Sequence, residues 1–152
     1  MRSRFTFDPG ADRRPVWSPD GTRLAFSSNR KGQFNLYIRS FAGSGTEELL
    51  LEDDRETFAT DWSSDGRYIL FHTRGDPKTL SDVWALPLSG DRKPIPVLQT
   101  QFREIEAVFS PDGRWIAYTS DESGRGEVYV TPFPGPGRKW QVSASGGILP
   151  RW

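Results

Sequence analysis

Cysteine is absent from the 152 residues, so this chain can build neither a disulfide framework nor a thiolate metal centre. Histidine and methionine occur once each. No apolar run approaches the roughly eighteen residues that a membrane-spanning helix needs. The opening Met1-Arg2-Ser3-Arg4 is followed by no apolar stretch of the kind a secretory leader carries, so either the chain stays where it is made or a leader lay upstream. Net charge is missing as well, because 20 Lys and Arg balance 20 Asp and Glu. A chain without a bulk field is not expected to bind nucleic acid or an anionic membrane surface, and no membrane insertion is expected.

What the chain has in quantity is punctuation. Fifteen Gly and twelve Pro fall between short aromatic and β-branched runs, a pattern of many strands and few helices. Trp17-Ser18-Pro19-Asp20-Gly21 returns as Trp62-Ser63-Ser64-Asp65-Gly66 and as Phe109-Ser110-Pro111-Asp112-Gly113. The leading aromatics stand 45 and 47 residues apart, and Trp152 follows 43 residues later. A period of about 40 to 50 residues is that of propeller blades or a related array. Ser-Pro-Asp-Gly fits a type I turn, with Pro where φ is preset and Gly where the chain can enter positive φ.

Each unit then supplies a second, third and fourth strand. In the first unit these are Arg23 to Ser28, Phe34 to Phe41 and Thr46 to Glu52, with Gly43-Ser44-Gly45 turning the chain. Glu47 to Glu52 would serve a helical turn equally well on propensity. The repeat decides for a strand. Phe26, Phe71 and Tyr118 form one column, Tyr37, Trp84 and Tyr129 another, and Leu36, Val83 and Val128 a third. Four strands per unit make the blade of a β-propeller. The expected fold is all-β: three four-stranded antiparallel blades at 14–52, 58–99 and 105–143. A spare outer strand is expected at 4–8, and 148–152 is expected to start a further blade. Three blades are too few to close a ring, so the chain is expected to be a section of a longer propeller or a protomer that completes a ring by association.

The units written WSPDGTRLAFSS and FSPDGRWIAYTS resemble the WD-repeat-like units of TolB-type propellers, which occur also in prolyl-oligopeptidase relatives. The stretch 115–152 resembles more narrowly the C-terminal propellers that follow the kinase domain in some bacterial serine/threonine kinases. The second unit departs from the pattern, with Ser64 in place of Pro, Leu70-Phe71-His72-Thr73 after it, and a longer loop from Arg74 to Ser81. The TolB-type resemblance implies a compartment outside the cytoplasm.

The sequence holds no recognisable catalytic constellation. His72 has no Cys partners and no G-x-S-x-G elbow to serve, so it is expected on a blade face as a structural side chain. Neither H-R-D-x-x-x-x-N nor D-F-G occurs. Asp20, Asp65 and Asp112 each stand alone between Ser or Pro and Gly, which favours turn stabilisation over calcium binding. No cofactor or metal is expected. Trp17, Gly21, Trp62, Gly66, Phe109, Gly113 and Trp152 are read as structural repeat positions. The expected function is non-catalytic protein interaction or ligand sensing. The alternative is the accessory propeller of a kinase or a prolyl-oligopeptidase-like hydrolase. Loops Asn29–Gln33, Arg74–Ser81 and Asp121–Gly126 are expected on one face, and Arg74, Asp76, Trp115, Asp121, Glu122 and Arg125 are the candidate binding residues. The partner is expected to be another protein or a second copy, a dimer making a ring of about six blades.

Overall fold

A computed structural model describes residues 4–41, 45–135 and 137–152. Gly43 and Ser44 of the expected Gly43-Ser44-Gly45 turn, and Pro136, lie outside the described residues. Blade 1 consists of β1 (Asp12–Trp17), β2 (Arg23–Ser28), β3 (Asn35–Ser40) and β4 (Glu47–Leu51). Blade 2 consists of β5 (Glu56–Trp62), β6 (Tyr68–Arg74), β7 (Val83–Pro87) and β8 (Ile95–Leu98). Blade 3 consists of β9 (Glu104–Phe109), β10 (Trp115–Ser120), β11 (Glu127–Pro132) and β12 (Trp140–Gln141). Each is one four-stranded sheet in sequence order with antiparallel neighbours. The Glu-Leu run of β4 is extended because β3 pairs with it, Leu36 to Leu51 and Ile38 to Glu48, and this pairing overrides local helix propensity.

The repeated turn is held identically three times. Ser18, Ser63 and Ser110 each donate their hydroxyl to the Asp two residues on, at 2.6 Å in every case. The same hydroxyl oxygens accept the amides of Arg23, Tyr68 and Trp115 at 2.9, 2.9 and 3.0 Å. Gly21, Gly66 and Gly113 sit at φ 68°, 74° and 71°, where a side chain would be strained, and their amides return to the Ser carbonyls. The Asp carboxylates thus act on backbone and on Ser. The Ser18 hydroxyl, with the Thr22 amide and hydroxyl, holds Asp20 down to about 2, and Ser110 with Arg114 does the same for Asp112.

Blades stack by one rule. The amide of Thr57 in β5 donates to the Phe34 carbonyl of blade 1 at 2.8 Å, and that of Glu104 in β9 donates to Ser81 of blade 2 at 2.9 Å. The aromatic five residues further along each inner strand, Trp62 or Phe109, is then driven into the preceding blade. Trp62 packs with Ala25 and Ile38, and Phe109 with Leu70, Val83 and Ala85. Both rings are nearly sealed, at 5% and 6% exposure. Burying a ring of this size stabilises by roughly 1.5–3 kcal/mol.

The two ends differ from the sequence expectation. Residues 4–8 form no strand. That segment has no ladder partner among the described residues and lies as an irregular arm, with Phe5 stacked on Phe41 at 4.5 Å. Residues 148–152 form no strand either and have no ladder partner among the described residues. They nevertheless dock as an inner strand docks. Gly147 donates to the Gly126 carbonyl at 2.9 Å, repeating the bond of Thr57 and Glu104, and Leu149 donates to Thr119 Oγ1 at 3.2 Å as Ala59 donates to Ser27 Oγ at 3.0 Å. Leu149, at φ 55°, also shares the left-handed backbone of Arg14 (56°) and Glu106 (57°), which occupy the same position three residues before the aromatic. In β1 and β9 that residue sits where the register shifts, so it marks a bulge.

Trp17 heads the same column as Trp62 and Phe109 yet is 53% exposed, because no preceding blade receives it among the described residues.

Candidate functional site

The antiparallel order fixes two ends of the array. All three Ser-Pro/Ser-Asp-Gly turns join first to second strands and lie at one end. The loops 29–34, 75–82 and 121–126 join second to third strands and lie together at the other, as do the connections between blades. The inner strands run side by side, β1 next to β5 and β5 next to β9, so their outward-turned polar groups gather along the axis of the array.

At the loop end of the axis, Arg14 of β1 forms an ion pair with Glu106 of β9, reaching from blade 1 to blade 3. His72 lies beneath, 1% exposed, with Phe58 tilted against its ring at 5.4 Å. Burial, and after it the guanidinium groups of Arg14, Arg74 and Arg103, push the imidazole down to about 3. It is therefore neutral at physiological pH. Its column mates Ser27 and Thr119 accept the amides of Ala59 and Leu149, whereas His72 Nδ1 has no partner among the described residues. At the turn end of the axis, Asp61 accepts the Phe109 amide at 2.7 Å. Burial raises its carboxyl, while the Phe109 and Trp62 amides and Arg151 act in the opposite sense.

Between blades 2 and 3, near the loop end, two further carboxylates are buried. Glu104 accepts from the Thr100 hydroxyl and is pushed up to about 7, by burial first. Asp82 accepts from Thr79 Oγ1 at 2.9 Å and is raised, again by burial first. Among the described residues no group of three or more His, Cys, Asp or Glu is arranged to hold a metal ion.

The six candidate binding residues do not converge. Asp121 accepts the Arg103 amide at 2.9 Å and, with Arg103, Glu106 and Leu149, lines a cleft at the loop end. Arg74 lies over the Phe58 ring at 5.3 Å. Asp76 caps its own loop by accepting the Lys78 and Thr79 amides at 2.8 and 3.3 Å. Glu122 pairs with Lys139, and Arg125 pairs with buried Glu127 at 2.7 Å, which ties the loop to the Ser143–Gly146 connection. Trp115 follows a turn and so sits at the opposite end, edge-on to Trp140 at 5.4 Å. Arg14, Asp61, Arg103 and Glu106 were missed by sequence reasoning. Their signal was a charged residue within or just before the first strand of a unit, the strand that faces the axis.

Compared with known proteins, 121 residues of this chain are 32% identical to the Tol-Pal system protein TolB of Bordetella pertussis, covering 80% of this chain and 27% of that one. The repeats are TolB-like propeller repeats. The blade geometry agrees: a crystal structure of TolB from Acinetobacter baumannii superposes with a TM-score of 0.79 at 23% identity, over 95% of this chain and 35% of that one. A prolyl endopeptidase structure superposes less closely, at a TM-score of 0.64 and 14% identity, over 88% of this chain and 21% of that one. No family model matches. The chain thus spans well under half the length of either of these two TolB proteins.

Proposed function

We propose that this TolB-like section binds another protein through the loop end of its blades. The observation that carries this reading is the asymmetry of the two ends. The three turns between first and second strands satisfy their own polar groups, while the loop end presents, on the axis, the Arg14–Glu106 pair with Arg103 beside it. Loops held by a rigid scaffold are where partners are met. Relatives named for a Tol-Pal system make the proteins of such a system the first partners to try.

The test is a titration of the full chain with individually purified Tol-Pal proteins, comparing the wild type with Arg103→Ala and with the turn-end control Asp65→Asn. Saturable binding weakened by the first change and untouched by the second supports the reading. Absence of binding up to about 0.1 mM, an affinity of only about 5 kcal/mol, would end it for those partners. An accessory propeller of a hydrolase is the second reading, favoured only by the prolyl endopeptidase likeness, which is a likeness of fold.

The chain also completes a ring with a second copy in this reading. What supports it is the pair of open flanks: Trp17 on blade 1 and Trp140, Val142 and Trp152 on blade 3 are all substantially exposed. Two copies of three blades give six, within the usual four to eight.

A further inference from the structure

At the loop end three rings follow one another inside the array. Phe34, which precedes β3, lies 5.1 Å from Phe58 of β5, and Phe58 lies 5.4 Å from His72 of β6. All three are nearly sealed, at 6%, 5% and 1% exposure. Their places follow from the ladders of blades 1 and 2. Phe58 is paired with His72 across β5 and β6, and Arg13 is paired with Ser27, whose hydroxyl takes the Ala59 amide of blade 2. Arg13 therefore turns toward blade 2, and its guanidinium lies 4.9 Å over the Phe34 ring. Arg74, at the end of β6, lies 5.3 Å over Phe58. Arg103 completes the series beside His72: with Arg14 and Arg74 it is one of three guanidinium groups whose charge acts on that imidazole.

These arginines are held differently from others that lie over rings. Arg30, Arg39 and Arg55 also cover aromatic faces, but each is paired with a carboxylate, Glu47 for the first two and Asp53 for the third. Arg13, Arg74 and Arg103 form no ion pair among the described residues. Stacking grips a guanidinium by its face and leaves its edge of N–H donors free. The acids at this end are engaged elsewhere or unpaired: Glu106 is taken by Arg14, Asp121 accepts the Arg103 amide, and Glu56, across the ladder from Arg74, makes no ion pair among the described residues. A guanidinium edge held in place is the donor set that a carboxylate matches with two parallel hydrogen bonds.

We propose that Arg13, Arg74 and Arg103 together hold an extended acidic segment of the partner protein, one whose carboxylates stand at every second residue. This rests on the loop-end reading above and names the chemistry of what binds there. The spacing comes from the rings: steps of 5.1 and 5.4 Å are each covered by about two residues of extended chain, which rises about 3.3 Å per residue. Alternate side chains of such a segment point the same way, so its carboxylates reach successive guanidinium groups. A lone phosphate is a poorer fit, because its oxygens want donors converging on one point, and Arg13 and Arg74 are fixed over separate rings. Single-stranded nucleic acid is poorer still. Its bases need open ring faces to stack on, and Phe34, Phe58 and His72 have almost none.

The test is an amide-shift NMR titration of the full chain with the blocked peptide Glu-Ser-Glu-Ser-Glu-Ser and its neutral counterpart Gln-Ser-Gln-Ser-Gln-Ser; the same spectra verify that each variant is folded. The acidic peptide is expected to saturate at about 0.1–1 mM, moving the amides of Phe34, Phe58 and His72, and to be released by about 0.5 M salt. Arg13→Gln/Arg74→Gln should weaken it about tenfold and Arg103→Gln about threefold, while Arg67→Gln in a turn at the other end should leave it unchanged. Equal binding of the neutral peptide, equal binding by the three-arginine variants, or no saturation by about 5 mM overturns the proposal. So does tighter binding of inorganic phosphate or of oligothymidylate at the same amides. A Tol-Pal protein that binds through Arg103 while the acidic peptide does not would overturn the acidic segment and leave the loop-end reading standing. Peptide binding with no Tol-Pal protein bound supports the site and ends that reading for those partners.

Discussion

Replacing Glu104 by Gln should make the protein more stable at pH 8 and remove part of its pH dependence. Glu104 opens β9, is 1% exposed and touches Asp82 electrostatically across the blade 2 to blade 3 seam. Its pKa is raised from 4.5 to about 7, so the folded state keeps a proton that the unfolded chain has released. The contribution is fully present below pH 4.5 and is lost as pH rises to 7. At about 1.4 kcal/mol per unit, the loss between pH 5 and pH 8 would be near 3 kcal/mol, and screening by water at the nearby loop end reduces it to about 1–2. His72 acts oppositely over the same range. Its pKa falls from 6.5 to about 3, so acid stabilises the unfolded chain, by about 2 kcal/mol at pH 5. The wild type alone can therefore look flat between pH 5 and pH 8. Urea unfolding of wild type and Glu104→Gln at both values separates the two groups. The variant is expected to be more stable than wild type by about 1–2 kcal/mol at pH 8 and to match it near pH 5. Equal stability at pH 8 would refute the argument that a buried carboxylate is charged at the seam.

Ser110→Ala removes two side-chain hydrogen bonds from one turn and should cost about 1–2 kcal/mol in thermal or urea unfolding, with Ser18→Ala and Ser63→Ala close to it. Ser27→Ala leaves the buried Ala59 amide without an acceptor at the blade 1 to blade 2 seam and should cost about 1–3 kcal/mol. Trp62→Ala empties the seat between Ala25 and Ile38 and should cost about 3–5 kcal/mol, while Trp17→Ala in the same column should cost little in the monomer. Below pH 4, Asp112→Asn should lessen acid destabilisation: the lowered carboxyl stabilises the fold above its unfolded value of 3.8, and this is lost as pH falls through about 2.

The blades were legible because the period, the turn and the columns state the same thing three times. Phe26, Phe71 and Tyr118 are each nearly sealed, as a shared column requires. The ends were not legible in the same way. Phe5-Thr6-Phe7 alternates like a strand, but alternation needs a partner edge to become a ladder, and none is present. Trp17 and Trp62 look equivalent in sequence, and only the presence or absence of a preceding blade separates an exposed ring from a buried one. The loop candidates failed to converge for a related reason. Charged loop residues such as Asp76 and Arg125 are spent on their own backbone or on a neighbouring strand, whereas Arg14 and Glu106, 92 residues apart, meet only once the inner strands are side by side.

The amide-to-carbonyl bond from each inner strand to the blade before it makes the array behave as a short chain of coupled units, each felt by its nearest neighbours. Blade 2 is gripped on both sides, by Thr57 at Phe34 and by Glu104 at Ser81, and Ile69, Leu70, Val83, Ala85 and Leu86 at its centre have no exposed surface. Opening then proceeds inward from the two outer blades. Hydrogen exchange should be slowest along β6 and β7 and should quicken toward both flanks, so that a partner or a second copy settling on either flank would register as slowed exchange in a blade it does not touch.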